Sequence, residues 1–86
     1  MTNYTTPIPN LNGTSRSDLH EEWESARALL SQALEELKAA TCHPRDFQCQ
    51  ESGTWLKAQQ EKLTVLAYAE DALDLASAWV IATENQ

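Results

Sequence analysis

The chain has 86 residues, which suffices for one small domain. Thirteen Asp and Glu residues against six Lys and Arg residues give a formal net charge of −7. Binding to duplex DNA is therefore not expected, because that binding depends on cations that contact phosphates. An acidic surface favours solubility, and it would also suit a protein that mimics nucleic acid.

The N-terminal stretch MTNYTTPIPNLNGTS has neither a basic start nor an apolar centre, so it is not expected to be a signal peptide. The most apolar segment, Leu63 to Ile81, is interrupted by Glu70, Asp71 and Asp74. A membrane span rarely tolerates three acids, so we expect no membrane association and a cytoplasmic location.

Residues 1–14 are predicted to form an extended arm. Two prolines fix φ and remove hydrogen-bond donors, and an Asn-Gly pair indicates a turn. Ile8 and Leu11 are apolar enough to anchor this arm in a groove.

Helix 1 is predicted at about residues 16–41, with Ser15 or Ser17 as its cap. Its apolar residues recur with alternating spacings of four and three: Leu19, Trp23, Ala26, Leu30, Ala33, Leu37 and Ala40. Leu29 and Leu34 widen this stripe to one side. Such a heptad seam requires a helical partner.

A bend is predicted at residues 42–53, because Pro44 cannot continue helix 1 and disfavours helical geometry at His43. Helix 2 is predicted at about residues 54–83, with Thr54 as its cap. Its main apolar face comprises Trp55, Ala58, Val65, Leu66, Ala69, Ala72, Leu73, Ala76, Trp79 and Val80.

Further apolar residues, including Leu63 and Ile81, lie on the flank of helix 2, and one partner helix cannot cover so wide a surface. The predicted fold is therefore all-α, with residues 1–14 as an extended arm and residues 15–86 as a long antiparallel two-helix hairpin that oligomerises. In this arrangement Trp23 lies near Trp79 at the open end of the hairpin.

No catalytic signature is present, so the protein is not expected to be an enzyme or to need a cofactor. Cys42, His43 and Cys49 do not have the ligand spacing of common zinc sites, and no metal site is predicted. The two cysteines are expected to be thiols in the cytoplasm, although a disulfide between them would be geometrically feasible.

Anion binding is a more specific hypothesis. Each glycine precedes a threonine just before a predicted helix, in NGTSRS and SGTWLK, and helix N-termini bind anions. Ordinary helix-start chemistry would explain the same pattern. At the bend, Arg45 could contact a phosphate while Phe47 stacks on a base. The candidate ligand-binding residues, brought together across a subunit interface, are Arg45, Phe47, Thr54, Lys57, Asn12, Thr14 and Arg16.

The strings PNLNGTS and HPRDF resemble a group of small phage-encoded helical-hairpin proteins with an Asn-Gly-Thr-Ser segment, a helix, an Arg-Asp-Phe or Arg-Asp-Tyr segment and a second helix. The arm and hairpin also resemble, more loosely, phage sponge proteins that defeat CBASS or Thoeris defence. Those proteins oligomerise and sequester cyclic nucleotide or cyclic ADP-ribose signals. No ligand residue of theirs aligns with this chain.

The resemblance implies a phage-type accessory protein in the cytoplasm of a bacterial host cell. It would counter immunity by sequestering a small anionic, cyclic nucleotide-like signal without catalysis. One alternative is a protein-binding inhibitor or acidic nucleic-acid mimic that acts on a host defence protein. Another is a structural or assembly hairpin.

Overall fold

The computed structural model describes residues 4–8, 10 and 12–84. Within these residues the chain is all-α, without strands, as predicted. Helix α1 spans Arg16–Ala39, a short 3₁₀ helix spans Pro44–Phe47, and helix α2 spans Thr54–Ala82. The molecule is extended, 61 Å long and about 20 Å across. The two long helices form an antiparallel hairpin, since the start of α1 contacts the end of α2.

The ends of α1 follow from side-chain and backbone capping. The Ser15 hydroxyl accepts a hydrogen bond from the Asp18 N–H (3.1 Å), so Ser15 rather than Ser17 is the cap. At the other end the helix stops at Ala39, two residues before the predicted boundary. The Lys62 ammonium group donates to the carbonyls of Lys38 and Ala40, which α1 leaves unpaired at its C-terminus.

The start of α2 differs from the prediction. Gly53 is the N-terminal cap residue, with a left-handed φ of 90°, and no side chain caps the helix. The prediction of Thr54 as the cap was wrong, because the left-handed turn at Gly53 places Thr54 already inside the helix. The Thr54 hydroxyl instead donates to the Glu51 carbonyl (2.8 Å).

The hairpin interface is a narrow seam. On α1 the most buried residue is Leu34, which is 5% exposed, whereas Ala33 is exposed. The predicted stripe placed Ala33 on the seam and Leu34 beside it, and the structure reverses the two. Turning Leu34 inwards removes more apolar area from water than turning Ala33 inwards.

The facing side of α2 also has a heptad spacing. Its residues are buried or half-buried: Trp55, Gln59, Lys62, Leu66, Ala69, Leu73, Ala76, Val80 and Thr83. Val65 and Ala72, which were predicted to lie on this face, are exposed. Both lie one residue away from the seam, so they point out of the contact between the helices.

The open end of the hairpin is fixed by aromatic and polar contacts. Trp23 and Trp79 stack with ring centroids 4.3 Å apart, as predicted. The Arg16 guanidinium donates to the Thr83 carbonyl (2.8 Å), and the Thr83 hydroxyl lies 3.1 Å from His20 Nδ1. Thr83 is fully buried. These contacts close the C-terminus of α2 against the first turns of α1.

The arm lies along the second half of α2. The Tyr4 hydroxyl donates to the Asp71 carbonyl (3.2 Å), and Arg16 lies at Thr83, so the arm runs from the level of Asp71 to the end of α2. Tyr4, Thr6 and Pro7 are half-buried. Ile8 is 87% exposed, so the prediction that it anchors the arm was wrong. Leu11, the other predicted anchor, lies outside the described residues.

Replacing the central seam residue tests this packing. Leu34→Ala is expected to lower the free energy of unfolding by about 2–5 kcal/mol, because it leaves a cavity between the helices. Leu29→Ala is the matched control, since Leu29 is 67% exposed and should change this free energy by less than about 0.5 kcal/mol. Urea unfolding followed by circular dichroism measures both values. Equal losses in the two variants would show that the seam is misplaced.

The arm contact should depend on pH. Partial desolvation and the charges of Asp71 and Asp74 raise the pKa of the Tyr4 phenol above its usual value of 10.0. The contribution of the docked arm to stability is therefore fully present below pH 10.0 and is lost as the pH rises through the folded-state pKa, where a phenolate would face two carboxylates.

A phenolate absorbance titration of a Tyr68→Phe variant, in which Tyr4 is the remaining tyrosine, measures this pKa directly. Adding Asp71→Asn and Asp74→Asn should move the midpoint back towards the usual value. A Tyr4 midpoint at or below pH 10.0 in the Tyr68→Phe variant would contradict the docked position of the arm.

Candidate functional site

The seven predicted ligand-binding residues fall into two groups at opposite ends of the molecule, which is 61 Å long. Three lie at the open end, beside or within the start of α1: Asn12, Thr14 and Arg16. Four lie at the bend or in the first turn of α2: Arg45, Phe47, Thr54 and Lys57. A single chain does not bring the two groups together, so a pocket built from both would need a second chain.

The open-end group has a structural role. Arg16 is half-buried and holds the Thr83 carbonyl at the C-terminus of α2. The Asn12 N–H donates to the Asn10 side chain (2.9 Å), and the Gly13 N–H donates to the Asn10 carbonyl (3.3 Å). A turn followed by a helix cap thus accounts for the NGTS string without a ligand. Asn12 and Thr14 remain exposed.

The bend is ordered by short-range contacts. His43 is extended (φ −126°, ψ 144°), as its position before Pro44 predicts, and its ring Nδ1 accepts from the Arg45 N–H (3.1 Å). The Trp55 indole donates to the Cys42 carbonyl (3.3 Å). These bonds tie the 3₁₀ helix to α2.

Two cations of the bend group remain available. The Thr54 N–H and hydroxyl both donate to the Glu51 carbonyl, at 3.2 and 2.8 Å, so neither donor is free for an anion. Arg45 and Lys57 are exposed, and within the described residues their side chains make no hydrogen bond or ion pair. Phe47 is half-buried beside Arg45 in the same 3₁₀ helix.

The thiols and imidazoles do not converge. Cys42 is half-buried and Cys49 is exposed, and both are free thiols. His20 contacts Thr83 at the open end, far from His43 at the bend. Among the residues that the structure describes, no group of three His, Cys, Asp or Glu side chains is placed to hold a metal ion.

Most acidic side chains are left without a partner. In the described part of the chain the one ion pair joins Arg27 to Glu24 on α1, and the hydrogen bond from Arg27 lowers the pKa of Glu24. Glu35, Glu36 and Glu70 are exposed. The negative charge therefore lies on a solvated surface, not in a cleft suited to acid–base catalysis.

Much of the first half of α2 is exposed, and we call this region the bare surface. It comprises the residues from Leu56 to Ala72 that do not belong to the seam with α1. All of them except Ala58 are exposed. Four large apolar side chains stand on it: Leu56 (56% exposed), Leu63 (58%), Val65 (51%) and Tyr68 (67%). From Leu75 onwards the outward side of α2 becomes mostly half-buried, where the arm lies. The bare surface is therefore a stretch of α2 that α1 does not cover and that the arm reaches at Asp71.

A shallow depression of about 320 Å³ lies on the bare surface, lined by Lys57, Gln60, Glu61, Thr64 and Val65. The sequence predicted that α2 is too apolar for one partner helix, but it did not identify this depression. The sequence did contain a signal for the depression. Gln60, Glu61 and Thr64 follow Lys57 by three, four and seven residues, and these spacings place all four on one side of the helix.

No family model, curated protein or solved structure matches the chain. The resemblance to phage hairpin proteins thus remains an expectation from short motifs. No helix in the described part of the chain is both long enough and apolar enough to cross a membrane.

Proposed function

We propose that the protein is a non-catalytic binding module that engages another protein through the bare surface of α2. The observation that carries this proposal is the exposure of Leu56, Leu63, Val65 and Tyr68, each more than half accessible, within four turns of one helix. Large exposed apolar side chains with polar neighbours are typical of protein–protein interaction sites.

The chemistry of this surface favours a protein over a nucleic acid. Its large apolar side chains are aliphatic or aromatic, and its charges include both signs, with Lys57 and Glu61 before Glu70 and Asp71. A nucleic-acid ligand would need a concentration of cations, which a chain of net charge −7 does not provide. Pairs of exposed apolar residues seven apart (Leu56 and Leu63) and three apart (Val65 and Tyr68) suit an apolar groove or another helix.

In the phage setting that the sequence resemblance suggests, the partner would be a host defence protein or a second copy of the chain. Site-specific photo-cross-linking distinguishes these cases. A photoreactive phenylalanine analogue at position 63 should give a discrete adduct in cells, and the same analogue at exposed position 35 of α1 is the control. Mass spectrometry identifies the adduct. Absence of any adduct at position 63 above that at position 35 would refute the proposed function.

A second candidate function is capture of a small anion at the bend. It is supported by the exposed, unengaged side chains of Arg45 and Lys57, with Phe47 beside Arg45. Two cations and an aromatic ring suit a cyclic nucleotide or cyclic ADP-ribose better than a long polyanion, because the rest of the surface is acidic. Asn12 and Thr14 would join this site only from a second chain.

Arg45→Ala should weaken binding of such a ligand at least tenfold, a loss of about 1.4 kcal/mol or more, because it removes a charge-assisted contact. Lys38→Ala is the matched control: it removes an exposed cation at the end of α1. Calorimetry against cyclic di- and trinucleotides and cyclic ADP-ribose isomers measures the affinities, and circular dichroism checks that helicity is unchanged. Failure of every ligand to bind below about 10 μM would exclude this candidate.

A further inference from the structure

We propose that the arm is a releasable cover on α2, and that a protein bound to the bare surface displaces it to extend along the rest of the helix. This inference rests on the proposed function and adds a means of regulating the same surface. It follows from the position of the arm on α2, from the few contacts that hold the arm there, and from the charges around Tyr4.

The arm and the bare surface share one stripe of α2, on the side that faces away from α1. Each residue of this stripe follows a seam residue by two positions, which corresponds to a rotation of about 200° around the helix. Their spacings alternate between four and three, so the stripe is continuous. We call these residues the rear stripe: Lys57, Glu61, Thr64, Tyr68, Asp71, Leu75, Ala78 and Ala82.

Burial along the rear stripe changes where the arm reaches α2. Its first five residues are exposed, whereas its last three, which are all apolar, are half-buried. Because α1 packs against the opposite side of α2, the arm is what covers these three residues. The Tyr4 hydroxyl contacts α2 at the boundary, on the Asp71 carbonyl (3.2 Å), one step along the stripe from the exposed Tyr68. A protein that follows the rear stripe beyond Tyr68 therefore meets the arm.

Few contacts hold the arm in place. Within the described residues 4–8, the hydroxyl of Tyr4 makes the one hydrogen bond to α2. Its acceptor is a carbonyl inside the helix, where the backbone hydrogen bonds of the helix do not depend on the arm. Ile8 is 87% exposed and anchors nothing. A segment with so few buried contacts opens without unfolding the rest of the molecule, so release of the arm leaves the hairpin intact.

The charges around Tyr4 provide a way to release the arm selectively. Partial desolvation and the charges of Asp71 and Asp74 raise the pKa of the Tyr4 phenol above its usual value of 10.0. The same surroundings disfavour any negative charge at position 4 while the arm is docked, and they no longer act on it once the arm is released. Tyr4→Glu is therefore the variant that should open the cover.

Spin labels measure the position of the arm directly. The labels are attached at Ile8→Cys and Glu35→Cys, both exposed sites, in a Cys42→Ser, Cys49→Ser background. Double electron–electron resonance should give one narrow distance distribution. Adding Tyr4→Glu should broaden it at least about twofold, because an untied terminal segment samples many positions.

Thr5→Glu is the matched control, since it adds the same charge at an exposed position of the arm and should leave the distribution narrow. Circular dichroism of each variant checks that the hairpin is folded. A broad distribution with Tyr4 in place would overturn the docked position of the arm. Equal distributions for Tyr4→Glu and Thr5→Glu would overturn the release mechanism.

Photo-cross-linking at position 63 tests whether the arm competes with the partner. Tyr4→Glu should raise the yield of the adduct at least about twofold over the chain with Tyr4, because apparent affinity scales with the fraction of molecules whose binding surface is open. Thr5→Glu should leave the yield unchanged. Position 63 lies outside the rear stripe, so the arm does not contact the photoreactive group itself.

The outcomes of this experiment separate the two proposals. An adduct at position 63 with the same yield in Tyr4→Glu and Thr5→Glu would overturn the cover and leave the proposed function intact. Absence of an adduct at position 63 in every variant, including Tyr4→Glu, would overturn both. A yield that rises in Tyr4→Glu alone, together with the broadened distance distribution, is the result that the inference requires.

Discussion

The structure depends on a single seam between two helices. A two-helix layer can bury one stripe of each helix and no more, and here the fully enclosed apolar residues of the described chain are Leu34, Ala76 and Val80. The polar contacts at the two ends of the hairpin therefore contribute a larger share of the stability than they would in a larger domain. Arg16 and Thr83 fix one end, and Lys62 with the carbonyls of Lys38 and Ala40 fixes the other. Both closures use a basic side chain at a helix C-terminus, where the dipole favours a positive charge.

The same constraint explains the shape of the outer surface. The arm covers the second half of α2 and leaves the first half bare. A partner that covered Leu56, Leu63, Val65 or Tyr68 would stabilise so small a domain, because it would remove exposed apolar area from water. On α2 one heptad series faces α1, and the four large exposed apolar side chains lie outside that series.

The sequence predicted the helices because their apolar periodicity is long and uninterrupted, and it predicted the bend because Pro44 is incompatible with a helix interior. It did not predict which of Ala33 and Leu34 faces α2. Periodicity allows both rotations of α1 about its axis, and packing against the seam of α2 decides between them. The start of α2 was not predicted for a similar reason. Both Gly53 and Thr54 are suitable N-cap residues, and Gly53 is the cap because the backbone there is left-handed.

The candidate site was predictable only in part, for a related reason. Sequence spacing placed the bend group on neighbouring turns, but it could not show that Glu51 occupies the donors of Thr54 or that Thr83 occupies Arg16. Periodicity predicts the face of a helix on which a residue lies. It does not predict contacts between residues far apart in sequence, and it does not predict the direction of the backbone in a turn. The exposed Arg45 and Lys57 are what remains of the predicted anion site within one chain.

The two candidate contacts of this chain occupy different parts of the molecule. The exposed apolar side chains stand on the first half of α2, whereas the exposed cations Arg45 and Lys57 lie at the bend and in the first turn of α2. An anion that bound Arg45 together with Asn12 or Thr14 would require a second chain, because the two groups lie at opposite ends of a molecule 61 Å long. Such a ligand would bind an assembly and not the single chain, and by mass action it would stabilise that assembly.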